Sequence, residues 1–101
     1  MASTDLLIRG LMDKLIEEQL DDESLSSRHG VFELFKTEGA VRGDRRDAIF
    51  GFIMGAVITN FFTDFQKIYG RGLNSDEMKI SVEAFQKRVF RIKSRIDETF
   101  T

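Results

Sequence analysis

The longest apolar stretch of the chain limits its possible folds more than any other feature. From Ala48 to Ile58 all eleven residues are apolar or glycine, and the chain has no proline to break a helix. Asp44 suits an N-cap and Gly70 suits a helix end, which predicts one helix over about residues 44–69. A helix that is apolar on all sides is usually buried on all sides.

The same stretch is short for a membrane span, which needs about 20 apolar residues. The charged segment Asp44–Asp47 precedes it, and Asn60 and Asp64 interrupt the residues after Ile58. We therefore expect no membrane interaction, and a central helix that the rest of the fold wraps.

Apolar residues elsewhere also follow helical spacing. Leucines spaced by four predict a first helix over about residues 4–20, with Ser3 or Thr4 as its cap. The polar segment after it has the composition of a loop over about residues 21–30. A short amphipathic helix from about residue 31 is expected to come next and to end at Gly39, with Gly43 closing the linker.

The last predicted helix covers about residues 75–99, and Asn74 and Glu77 have the spacing of a capping box at its start. Its apolar residues follow steps of four and three, which predicts a heptad seam against a neighbouring helix. This seam consists of Met78, Val82, Phe85, Val89, Ile92 and Ile96.

Together these segments predict an all-α fold, a small helical bundle of three long helices plus one short helix. The 101 residues suit one helical domain, residues 1–101. So short a chain has few helices with which to cover a central helix that is apolar on all sides. We therefore expect homodimerisation to complete the bundle.

Gly51, Gly55 and Thr59 place a small residue at every fourth position of the apolar helix. Such a ribbon lets a second helix approach closely, from the same chain or from another copy. Two glycines inside a helix cost roughly 1 kcal/mol each relative to alanine, so we expect a close contact to offset that cost. We favour a self-association seam over packing within the chain.

Charge is distributed unevenly along the chain. Residues 1–40 hold nine acids and four bases, a net charge of −5, whereas residues 41–101 hold eight acids and eleven bases, a net charge of +3. The excess of bases includes one face of the last helix, formed by Lys87, Arg88, Arg91 and Arg95. This face suits an anion such as nucleic acid.

The acidic stripe of the first helix offers the basic face a different partner. Asp13, Glu17 and Asp21 are spaced by four and are expected to lie on the polar side of that helix. We favour pairing between the two helices over binding of nucleic acid by the basic face.

No set of residues has a spacing that indicates catalysis or metal binding. The chain has no cysteine, and its one histidine is His29. A di-metal site in a helical bundle has a glutamate three residues before each histidine, whereas Ser26 occupies that position here. Acids at 17–18 and 21–23 suit a solvated surface, whereas acid–base catalysis needs a carboxyl in a pocket. Gly70-Arg71-Gly72 lacks the preceding strand of a phosphate loop. We predict no catalytic, cofactor-binding or metal-ligating residues and no cofactor.

Three functions from different classes fit this sequence. The one we favour is a non-catalytic interaction or regulatory module that acts as a homo-oligomer and binds a protein partner. The second is a nucleic-acid-binding protein that uses the basic face. The third is a binder of an apolar ligand in a core pocket among the ten phenylalanines. The lack of cysteine, and of a basic and apolar leader, is typical of a cytoplasmic protein.

Overall fold

A computed structural model gives the structure of the chain and describes residues 2–37 and 45–100. These residues are almost entirely helical, which confirms the predicted all-α class. The helices are α1 (Ala2–Gln19), α2 (Asp22–Thr37), α3 (Arg45–Tyr69), α4 (Ser75–Gln86) and α5 (Val89–Phe100). Helices α4 and α5 are separated only by Lys87 and Arg88, so residues 2–37 and 45–100 form four helices packed together, of which the last is interrupted.

The predicted loop over residues 21–30 is wrong, because α2 begins at Asp22 and runs through Gly30. The backbone N–H of Ser24 donates to the Asp21 carboxylate at 2.7 Å, so Asp21 caps this helix. The predicted cap at Ser3 or Thr4 is also wrong, since α1 begins at Ala2 and both residues lie inside it. The expectations for Gly39, Gly43 and Asp44 lie outside the described residues.

The break between α4 and α5 divides the last predicted helix. At this point the N–H of Arg88 donates to the Phe85 carbonyl at 2.9 Å, a tighter turn than that of an α-helix. The two halves then bury different faces. In α5 the predicted seam is buried at Ile92 and Ile96, but in α4 Met78 and Val82 are exposed.

The turn between α3 and α4 explains which face of α4 turns inward. Gly70 ends α3 with a φ of 68°, a left-handed conformation that favours glycine. The predicted capping box of Asn74 and Glu77 is present. Arg71 clamps the Glu77 carboxylate through two hydrogen bonds of 2.8 and 2.9 Å, so Glu77 is buried and Met78 beside it is not.

The core lies along α1, which packs against α3 and α4 and to a lesser extent against α2. Helix α3 packs against α1, α2 and α5, and it buries one residue per turn. These residues are Ile49, Ile53, Val57, Phe61 and Phe65. In the described part of the single chain α3 leaves much of its apolar surface exposed, and the expected cover by a second copy stays a prediction.

Candidate functional site

An apolar groove of about 450 Å³ opens between α3 and α4. Met12 of α1, Phe61 of α3 and Phe85 of α4 line it and are buried, so they form its floor. The groove exists because α1 packs against both α3 and α4 and holds them apart. The phenylalanine-rich site therefore takes the form of an open groove and differs from the enclosed core pocket expected from the sequence.

The walls of the groove are large apolar side chains that stay 36–48 % exposed. Helix α3 contributes Met54, Ile58 and Phe62, and α4 contributes Met78 and Val82. At the usual accessible areas of such side chains they expose on the order of 400 Å² together. The largest apolar patch of a typical monomer is of this size and is often functional. Sequence reasoning missed this site because it placed Met78 and Val82 in the buried seam.

One end of the groove carries a positive charge. Lys93 of α5 lines this end, and its Nζ lies 5.3 Å from the centre of the Phe50 ring. Among the described residues, the other lining residues with polar side chains are Ser81 and Gln86, and none that lines the groove carries a carboxylate. The Ser81 hydroxyl donates to the Glu77 carbonyl at 2.8 Å. The groove is therefore apolar along its length and cationic at one end.

The predicted self-association seam lies on the solvent side of α3, next to the groove. Gly51, Gly55 and Thr59 are all exposed. A Cβ added at Gly51 or Gly55 would meet no atom within 4 Å, so none of the described helices of the same chain packs closely there. The alternative of a ribbon for packing within the chain therefore has no support from this structure.

The side chains on the exposed face of α3 change from small to large along the helix. Its first half carries Gly51 and Gly55, and its second half carries Ile58 and Phe62 on the same side of the helix. We call these four residues and Thr59 the outer face of α3. Ile58 and Phe62 also belong to the wall of the groove, so the two surfaces are continuous.

The basic face of the last helix contacts the acidic side of α1 and the start of α2. Arg88 forms two hydrogen bonds to Asp13, at 2.7 and 2.8 Å, and Arg91 forms two to Glu17, both at 3.2 Å. Arg95 pairs with Asp22, whereas the sequence predicted Asp21 as the third acidic partner. Lys87 is exposed beside Arg88. Three of the four proposed anion-binding residues therefore already have carboxylate partners.

These pairs shift the protonation of their members. The hydrogen bond from Arg88 lowers the pKa of Asp13 below its ordinary value, although partial burial opposes the shift. The same bond raises the pKa of Arg88, and the bond to Glu17 raises the pKa of Arg91. All three groups are charged at neutral pH, so an incoming phosphate would have to displace a carboxylate from each arginine it contacts.

The other candidate residues do not come together as a reactive site. His29 lies in α2, with its Nε2 4.0 Å from the Glu33 carboxylate. Among residues 2–37 and 45–100 no three His, Asp or Glu side chains are placed to hold a metal ion. Gly70 and Gly72 end α3 and form the turn to α4, as a helix C-cap does.

The segment Arg46–Tyr69 is long and apolar enough to cross a membrane, by length and composition only. Core helices of soluble proteins pass the same test. In this chain 28 % of its most apolar 18-residue stretch is buried, so much of α3 has no cover from the described part of its own chain.

Comparisons of the chain with protein-family models, with curated proteins and with solved structures found no match.

Proposed function

We propose that the protein is a non-catalytic interaction module that acts as a homo-oligomer, and that the outer face of α3 pairs with the same face of a second copy. The observation that carries the proposal is the exposure of Gly51 and Gly55 beside large apolar side chains. Two helix-interior glycines cost roughly 1 kcal/mol each, and nothing in the described part of the chain offsets that cost.

The order of residues along α3 favours an antiparallel pair with two-fold symmetry. In such a pair the first half of one helix, which has small side chains, faces the second half of the other helix, which has large side chains. With the axis between residues 56 and 57, Gly51 faces Phe62 of the second copy and Gly55 faces Ile58. A parallel pair would instead set Phe62 against Phe62 and leave a gap between the glycines. A two-fold axis is the commonest symmetry of soluble oligomers.

The charges along α3 are compatible with this pairing. The outer face carries no acidic or basic side chain from Gly51 to Phe62. Asp47 at one end would face Gln66 of the second copy, so no like charges meet. The glycines allow the helix axes to approach to the short end of the usual range of about 8–10 Å.

The dimer is expected to dissociate on dilution. The exposed parts of Met54, Ile58 and Phe62 supply on the order of 250 Å² per copy. A stable complex buries about 800 Å² per partner. The self-association of this module is therefore weak enough to be regulated by concentration.

Cysteine cross-linking tests the arrangement, because the chain has no cysteine of its own. In the antiparallel pair a Gly51→Cys residue lies opposite a Phe62→Cys residue of the other copy, within reach of a disulfide. The double variant is expected to form covalent dimers under mild oxidation. Either single variant is expected not to, since the two identical positions lie about 16 Å apart along the helix axes.

Two results would overturn the proposal. Efficient cross-linking of the Gly51→Cys single variant would show a parallel pair. Light scattering that gives the mass of one chain at up to several hundred micromolar would show that no dimer forms. Gly10→Cys is the matched control, since Gly10 is also exposed within a helix and open to solvent but lies on α1.

A further inference from the structure

We infer that the groove between α3 and α4 binds an unbranched long-chain carboxylate, with its tail along the groove and its carboxylate at Lys93. This inference goes beyond self-association and does not depend on it. It develops the third function considered from the sequence, the binding of an apolar ligand, by naming the chemical class of that ligand.

The dimensions of the groove suit one acyl chain. Its volume of about 450 Å³ falls within the range of small-molecule sites, roughly 300–1,000 Å³. Along α3 it extends from Phe50 to Phe62, which at 1.5 Å per residue is about 18 Å. A site of this length favours a linear ligand over a compact ring system.

The lining matches the two ends of such a ligand. Apolar side chains form the floor and both walls, with Met54 and Met78 on opposite sides. Methionine side chains are flexible and adapt to ligands of irregular or variable shape. The polar lining groups away from Lys93 are Ser81, whose proton is already donated within α4, and Gln86. A ligand with several polar groups would leave them without partners in this groove.

Lys93 determines the charge of the ligand. Among the described residues its ammonium makes no ion pair, and its one aromatic contact is with the face of Phe50. Two carboxylates, Asp47 and Asp97, line the adjoining pocket with Arg46, and Arg46 pairs with Asp97 at 3.2 Å. An anionic head group at the end of the groove would therefore meet an available cation beside an aromatic ring.

Calorimetric titration with three twelve-carbon probes tests the inference: dodecanoate, 1-dodecanol and dodecyltrimethylammonium. The tails are identical, so differences in affinity report the head group. We expect dodecanoate to bind with the highest affinity and the cationic probe with the lowest. Lys93→Gln should weaken dodecanoate about tenfold, as the loss of a charge-assisted contact does, and leave 1-dodecanol unchanged.

A pair of surface variants separates the groove from general adsorption. Val82→Glu places a charge in the groove wall and should abolish the binding of dodecanoate and of 1-dodecanol. Phe90→Glu is the matched control, because Phe90 is 82 % exposed and does not line the groove. Circular dichroism should show wild-type helix content in both, since both side chains are substantially exposed.

The inference is overturned if dodecanoate does not bind below millimolar concentration, if Lys93→Gln leaves the affinity for dodecanoate unchanged, or if Phe90→Glu weakens binding as much as Val82→Glu. Binding to phosphatidylglycerol vesicles without binding of free dodecanoate would also overturn it, in favour of a membrane surface. Disulfide cross-linking of the Gly51→Cys, Phe62→Cys variant is measured without ligand and the titrations are made on the protein with Phe62 intact, so the failure of one proposal is distinguishable from the failure of the other.

Discussion

Replacing Gly55 by alanine should change the stability of the protein in a way that depends on protein concentration. In the single chain a Cβ at this position meets no atom within 4 Å, so the substitution introduces no clash. Alanine is favoured over glycine inside a helix by about 0.8–1.0 kcal/mol. At a concentration where the protein is monomeric, we therefore expect the variant to be more stable than wild type by nearly that amount.

In the proposed dimer the same methyl group lies between two closely packed helices. It would push the Ile58 side chain of the second copy away and weaken association, as overpacking of a tight contact does. At a concentration where wild type is dimeric, the stabilising effect of alanine should therefore shrink or reverse. This change of sign with concentration distinguishes a buried seam from a solvent-exposed ribbon.

Thermal unfolding followed by circular dichroism at about 5 and 500 micromolar protein measures the stability of the monomer and of the proposed dimer. For a domain of 60–100 residues, 1 kcal/mol corresponds to roughly 4–8 °C in Tm. Gly10→Ala is the control, since Gly10 is equally open but lies on α1, and its stabilising effect should be the same at both concentrations. Equal gains for Gly55→Ala at both concentrations would refute the seam.

Three further predictions concern the fold. The hydrogen bonds from Arg71 are the chief cause that lowers the pKa of Glu77 from 4.5 to about 2. The contribution of Glu77 to stability is therefore complete above about pH 4.5 and is lost as pH falls towards 2. In denaturant titrations, the Glu77→Gln variant should lose less stability than wild type over this range of pH. Phe65→Ala should cost about 3–5 kcal/mol in chemical denaturation because Phe65 is fully buried, and Phe62→Ala, at a 43 % exposed position, should cost much less in the monomer. Arg88→Gln should cost about 0–1 kcal/mol at low salt, and less at 1 M salt, because its pair with Asp13 is largely exposed.

The sequence predicted those elements whose signals are local. The long apolar stretch marked α3, and Gly70 marked its end within one residue. The capping box of Asn74 and Glu77 was predicted from spacing alone, because it depends on residues three positions apart. Such signals need no knowledge of the surface against which the helix packs.

The first half of α2 was missed because its residues are individually weak helix formers, whereas the short helix predicted from about residue 31 forms its second half. A serine-rich stretch with Gly30 has the composition of a loop, and its hydrophobic content is low. Two features nevertheless support a helix: Leu25 is fully buried, and Asp21 caps the first turn through Ser24. The spacing of Asp21 and Ser24 was present in the sequence, but the burial of Leu25 is a tertiary effect.

The groove could not be predicted because it depends on the rotation of one helix. The predicted heptad seam places Met78 on the buried face of α4, whereas the structure buries the preceding residue, Glu77. Periodicity favoured the methionine, since a carboxylate is costly to bury without a partner. Arg71 supplies that partner from outside the helix, and its guanidinium also lies 5.5 Å from the centre of the Phe65 ring. This ion pair joins residues six apart and accompanies the burial of Glu77 and the exposure of Met78 and Val82.

The position of α1 connects the open groove with the exposed face of α3. Because α1 packs against both α3 and α4, α3 is an outer helix of the bundle even though it is the most apolar one. One stripe of α3 is then buried by α1 and α5, a second borders the groove, and a third faces solvent. A second copy that covers the third stripe would contact Ile58 and Phe62, which also form the groove wall. Self-association and ligand binding would then be coupled, since a ligand that moves these two side chains changes the surface offered to the second copy.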